Sequence, residues 1–209
     1  MPARARSRAP RLAPSDRRAQ LIQAAVRVFL RRGYQASKVR DVVREARVAR
    51  GTFYLHFESK RQLLAAVARE LVDRLPSRLV APPPPRTRAG LEAALEALHL
   101  GAFRAFHASR ETSRLLFGES AATEPLVARA LAAHDKAWRR LVASLLSRAR
   151  EAKLLREGID PDLAADAVLG AVQRVVRVEV LRAERPDLEG LAAGLARLQA
   201  ASLAPDPRS

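Results

Sequence analysis

The 209-residue chain contains no cysteine. That absence excludes disulfides, thiolate metal sites and cysteine nucleophiles. There are only four histidines. His99, His107 and His134 lack close ligand spacing such as H-E-x-x-H and have no nearby carboxylate pair, so no metal site is expected and structural or solvent roles are the ordinary reading. No Ser/His/Asp arrangement, phosphate-cradling glycine loop or paired acids stand out, so no cofactor is implied and catalysis is not expected. Aromatic residues are 4% of the chain, which leaves Ala, Leu and Val to build the core. No apolar run approaches the roughly 20 residues a bilayer crossing needs, and the N-terminus lacks a hydrophobic signal core. A cytoplasmic chain without membrane contact is expected.

What remains is apolar, helix-forming and basic. Nearly half the residues are hydrophobic, and formal net charge is +16. The charge is uneven: residues 1–75 carry 18 Lys/Arg against 6 Asp/Glu, so most of the excess lies in the first third. A concentrated basic surface attracts a polyanion, and nucleic acid gains entropy by releasing counterions to it. A merely solvated basic face is the bland alternative.

Long Ala/Leu/Arg/Glu stretches without strand-like alternation indicate an all-α chain of about nine helices. Residues 1–14 form a Pro/Ala/Arg tail expected to be disordered. Its Arg4, Arg6, Arg8 and Arg11 either follow a groove or stay in solvent. Ser15 or Asp16 is placed to cap a first helix with Leu21, Ile22, Ala25, Val26 and Phe29 on one face, ended by Gly33. Ser37 is expected to cap a short second helix with Val39, Val42 and Val43. GTFYLHF then supplies two turns, completing a head over residues 15–58. A connecting fourth helix spans residues 59–80, carrying Leu63, Leu64, Val67 and Leu71. Pro76 and Pro82 to Pro85 break the pattern before a larger body, residues 81–209. Further helices are marked by Leu91 to Phe106, Leu115 to Phe117, Pro125 to about Ala152, Asp160-Pro161 onward, and Asp187 onward.

Three short helices with a tight turn and net positive charge indicate a helix-turn-helix, in which one helix braces across phosphates while the next enters the major groove. The candidate is residues 37–60, with the reading helix near Ala49 to His56. Gly51 permits close backbone approach, Thr52 and Tyr54 offer hydroxyls, and His56 and Lys60 add donors. Phe53 and Phe57, four apart, point into the head's core.

The run Gly33-Tyr34, Ser37, VRDVV, ARVA, RGTFY, LHF and SKRQLL resembles the TetR/AcrR family of bacterial regulators over about residues 16–75. That resemblance implies an omega-shaped homodimer whose two heads grip neighbouring major grooves of a near-palindromic, double-stranded operator. A small-molecule effector in the body would spread or lock the heads. Carried over by position, Ser37 and Lys38 meet phosphate, and Arg50, Gly51, Thr52, Tyr54 and His56 face DNA. Lys60 clamps phosphate at the start of the fourth helix. Three positions depart from the pattern: Arg47 replaces the turn glycine, Ala49 the helix cap, and Val43 the small alanine. Arg47 adds a phosphate contact in partial compensation.

In the body, Phe103, Phe106, His107, Phe117, His134 and Trp138 fall on the helices that enclose the effector cavity in the resembling family, although such aromatics are more often plain core. Arg174 and Arg177 are candidates for an anionic effector, such as an acyl-thioester's phosphates, with a solvated face as the bland alternative. The last two helices resemble a pair that forms a four-helix dimer bundle. There Gly190 and Gly194 share a face and allow close approach. The expected function is a ligand-responsive repressor associated with the bacterial nucleoid and released by a hydrophobic effector. A non-specific nucleoid-type binder is the alternative, and a DNA-associated enzyme a more distant third. The ordered GTFYLHF run separates the first from the second, because non-specific binding needs only charge.

Overall fold

Helix α1 (Pro14–Arg32) begins at a proline, whose fixed φ and missing amide suit a first turn. Ser15 and Asp16 therefore lie inside the helix and not at its cap. The computed structural model describes residues 14–74, 82–117 and 124–205. The basic tail, Pro14 excepted, and Pro76 fall outside them. Gly33 ends α1 with φ 79°, donating its amide to Phe29 O at 2.9 Å.

The head continues with α2 (Val39–Glu45) and α3 (Arg50–Tyr54), then α4 (Lys60–Arg74). Ser59 caps α4, its Oγ accepting from the Gln62 amide at 3.2 Å. The body holds α5 (Arg88–Ala108), α6 (Arg110–Leu116), α7 (Pro125–Glu151), α8 (Pro161–Val175) and α9 (Leu188–Leu203). A π-helical turn, Val176–Val180, extends α8. The described residues thus form nine α-helices and no strand.

Sequence-local caps set most body boundaries. Thr87 Oγ1 accepts from the Gly90 amide at 3.0 Å, Asp160 Oδ1 from Asp162 at 3.0 Å, and Asp187 Oδ1 from Gly190 at 2.9 Å. Pro125 and Pro161 open their helices in the first turn. Each cap satisfies an amide that has no partner within its helix.

Two apolar cores result. One gathers Leu21, Phe29, Val42, Phe53, Leu63 and Leu71 from α1 to α4. It is completed by Leu115 and Leu116 of α6 and Val127 of α7. Burying each such side chain contributes roughly 1.5–3 kcal/mol, so α6 and the start of α7 are energetically part of the head's support. The other core lies among α5, α7, α8 and α9, with α9 along α5 and α8 along α7. No helix among the described residues is long and apolar enough to cross a membrane.

Candidate nucleic-acid interface

The reading unit is built on a buried carboxylate. Asp41, only 5% exposed, accepts the Lys38 amide at 3.0 Å through Oδ2 and pairs through Oδ1 with Arg32 at 3.2 Å and Arg44 at 3.3 Å. The Lys38 amide is the largest influence holding this carboxyl below its ordinary pKa. Burial opposes it, while Arg32 and Arg44 add to it. Asp41 thus caps α2 from its third position, the role expected of Ser37. Ser37 is buried and donates its Oγ proton to Gly33 O at 2.6 Å. Its hydroxyl tightens the turn entering α2 and is not presented to a phosphate.

The turn between α2 and α3 places Arg47 at φ 52°, the left-handed region glycine occupies without strain. The Val48 amide reaches back to Val43 O at 3.0 Å, and Gln20 Nε2 of α1 donates to Ala46 O at 2.9 Å. Glu45 is gripped by Arg27 and Arg31. Gln20 and Glu45 belong to no motif, and each is marked in the sequence only as a long polar residue beside apolar neighbours. Ala49 occupies the cap of α3 without a side-chain acceptor.

Helix α3 and the turn that follows it have an inner and an outer side. Phe53 and Phe57 are buried with ring centroids 5.9 Å apart. Outward stand Arg50, Gly51 and Tyr54, with Thr52 and His56 half-buried beside them. The Arg50 guanidinium lies 5.8 Å from the Tyr54 ring centroid, and Nη2 is 3.5 Å from its hydroxyl. The pair therefore presents a planar fork on an aromatic shelf. Leu55, not among the expected contacts, is 82% exposed; an apolar side chain there can meet a thymine methyl or a sugar. Lys38 and Arg47 are exposed as well.

Lys60 is placed differently from its expected role. Its ammonium donates to Tyr34 O at 2.7 Å, Ser37 O at 2.9 Å and Gln35 O at 3.2 Å, and sits 4.3 Å from the Tyr34 ring centroid. An ammonium has three protons, and all three are engaged. Lys60 thus pins the α1–α2 turn and has no free donor for phosphate in this arrangement.

In the body, Phe106 and Phe117 meet edge to face with centroids 5.5 Å apart, and His134 meets Trp138 at 6.2 Å. Phe103 is fully buried and stacks against His99 at 6.3 Å. Both His99 ring nitrogens lack a hydrogen-bond partner, as does His107 Nδ1. Burial lowers the His99 pKa to about 4, opposed in part by the nearby Ala192 backbone. Arg174 and Arg177 are exposed on the outer side of α8 and its π extension, outside these ring contacts. A Cβ at Gly190 would collide with the Asp187 carboxylate, whereas one at Gly194 would meet nothing within 4 Å. The first glycine belongs to a helix cap. Only the second is free for close approach.

A buttressed helix-turn-helix carried on an all-helical body defines a bacterial-type DNA-binding regulator. The family profile "Bacterial regulatory proteins, tetR family" matches residues 21–67. The HTH-type transcriptional activator FasR of Mycolicibacterium smegmatis is 33% identical over 165 residues, covering 76% of this chain and 74% of that protein. The fatty acid metabolism regulator protein of Bacillus subtilis is 24% identical over 173 residues, covering 82% and 88%. Among solved structures, the regulator FadR from Bacillus subtilis in complex with stearoyl-CoA aligns with a TM-score of 0.67 at 21% identity, covering 88% of this chain and 98% of that one. The chain belongs to the TetR family of transcription regulators.

Proposed function

We propose that the protein is a dimeric, ligand-responsive regulator that reads a near-palindromic operator with α3 and loses DNA affinity when an acyl-type effector fills the body. The observation that carries this reading is the division of α3 and the turn after it into a locked inner side, Phe53 and Phe57, and an outer side bearing Arg50, Tyr54 and Leu55. Charge alone would bind DNA without an aromatic shelf or a glycine at closest approach, which disfavours the non-specific alternative. Lys38, Arg47, Thr52 and His56 flank that face as phosphate or base contacts.

Dimerisation is supported by α8 and α9, where Leu163 is 69% and Leu198 67% exposed. Ala167, Gly170 and Gly194 lie exposed on the same two helices, so small residues flank unpartnered leucines. The acyl effector is supported by the name of one relative, the fatty acid metabolism regulator protein of Bacillus subtilis, and by the stearoyl-CoA complex of a structural neighbour. Where the operator overlaps a promoter, such a protein represses. The head over residues 15–58, the α4 connector and the body from residue 81 are the corresponding units.

The test is release of a bound duplex, recovered by selection from a random pool, on titration with stearoyl-CoA. The 209-residue chain should scatter light as twice its 22.9 kDa mass, and micromolar stearoyl-CoA should dissociate the duplex. A monomeric mass, or binding indifferent to acyl-CoA of every chain length, would contradict the corresponding half.

A further inference from the structure

Residue Glu124 stands immediately before α7, on the body, yet it faces the head. Only 12% of its side chain is exposed, and its Oε2 lies 3.1 Å from Arg61 Nε on α4. The N–H is not aimed at that oxygen, so the contact is an ion pair more than an aligned hydrogen bond. The carboxylate also adjoins the Tyr34 hydroxyl, whose pKa is raised by burial first and by the Glu124 charge second. Burial lowers the pKa of the Lys60 ammonium over the Tyr34 ring, and the Glu124 charge opposes that shift.

These groups form one connected set. Tyr34 packs edge to face on Phe29 with centroids 5.3 Å apart. Lys60 covers the Tyr34 ring and holds the carbonyls of Tyr34, Gln35 and Ser37. That turn leads directly into the Lys38 cap of α2, which braces the reading helix. Tyr34 shares its apolar core with Leu115, Leu116 and Val127, the body residues that complete the head. An ion pair alone is a weak tie when Arg61 is 63% exposed; continuity with a shared apolar core makes its geometry consequential.

We propose that Glu124 is a positioning residue for DNA reading: through Arg61, Tyr34 and Lys60 it latches the start of α7 to the α1–α2 turn, so that movement of α7 resets the reading helix. The proposal deepens, and rests on, the function given above. It names how the body's state reaches a surface that it does not itself touch.

The experiment compares full-length wild type with Glu124→Gln, which keeps the shape and removes the charge. Amide hydrogen exchange is read over residues 34–38, and affinity is read on a selected duplex and on a scrambled one. Exchange over 34–38 should quicken, and selected-duplex affinity should fall at least about fivefold, the lower range for linked sites. Scrambled-duplex affinity should not fall. Simple electrostatics has the opposite sign, since losing an acidic group from a chain of net charge +16 tightens DNA binding. Adding Arg61→Gln to Glu124→Gln should cost less selectivity than Arg61→Gln costs alone. Unchanged exchange, or undiminished affinity for the selected duplex, overturns the proposal. If wild type itself selects no motif, the function proposed above fails separately, and exchange over 34–38 still decides whether Glu124 holds the turn.

Discussion

Replacing Arg47 by glycine should stabilise the protein, although it deletes a long side chain from the motif most concerned with DNA. Arg47 sits at φ 52° in the turn between α2 and α3, where an L-residue suffers a clash between Cβ and the backbone worth roughly 1–2 kcal/mol. Glycine removes that clash but loses more chain freedom on folding, an offset of about 0.5–1 kcal/mol. The side chain is exposed and forms no ion pair among the described residues, so little else is lost. The net gain is then about 0.5–1 kcal/mol. For a chain of this length that raises the unfolding midpoint by about 1–4 °C. Urea and thermal unfolding at fixed protein concentration, because a dimer's midpoint depends on it, should show this gain with an unchanged m-value. The same variant separates Arg47's two roles: if it touches phosphate, the slope of log affinity against log salt becomes shallower by about one. A lowered midpoint would refute the reasoning, because the left-handed turn would then be relieved by something other than its backbone.

Ala49→Ser restores an acceptor at the cap of α3 and should add about 1 kcal/mol of stability, read by urea denaturation; no gain would mean the α3 amides already have partners. The two glycines of α9 should behave oppositely. Gly190→Ala forces Asp187 off its cap and should cost about 1 kcal/mol or more, whereas Gly194→Ala leaves the isolated subunit intact but raises the dimer's dissociation constant in sedimentation if that face pairs. Buried His99, with its pKa lowered to about 4, binds a proton more readily in the unfolded chain, whose histidine pKa is near 6.5. Its contribution to stability is therefore complete above about pH 6.5 and declines as pH falls toward 4. Wild type should lose stability between pH 6.5 and 5 more steeply than His99→Leu; parallel profiles would show that His99 finds a partner on protonation.

The head was legible because its signals are local. The stripe Leu21, Ile22, Ala25, Val26 and Phe29, the glycine after α1, and the four-residue spacing of Phe53 and Phe57 each follow from helical geometry. Arg47 was recognisable as an occupant of a glycine's place, and its positive φ bears that out. In the body, Pro125, Asp160-Pro161 and Asp187 set helix starts for the same local reasons. Partners distant in sequence were illegible. Ser37 resembled a cap, yet Asp41 fills that role because its carboxylate also gathers Arg32 and Arg44. Lys60 looked like a phosphate donor until three carbonyls 23 to 26 residues away engaged its protons. Nothing in periodicity reveals that Glu124 meets Arg61 and Tyr34, or that Leu115 and Val127 close the head's core. Gly190 and Gly194 are indistinguishable by spacing; only the Asp187 carboxylate separates them.

The central claim is that α3 reads sequence through Arg50 and Tyr54, and selection of duplexes from a random pool tests it most directly. Full-length wild type, Arg50→Ala and Tyr54→Ala would each be carried through the same rounds at fixed salt. Wild type should enrich an inverted repeat with half-sites about one helical turn apart or a multiple of it. Each variant should lose preference at particular base pairs while keeping salt-sensitive binding to unselected DNA. Equal recovery by all three proteins with no enriched motif would contradict the account, leaving a basic surface that holds DNA without reading it.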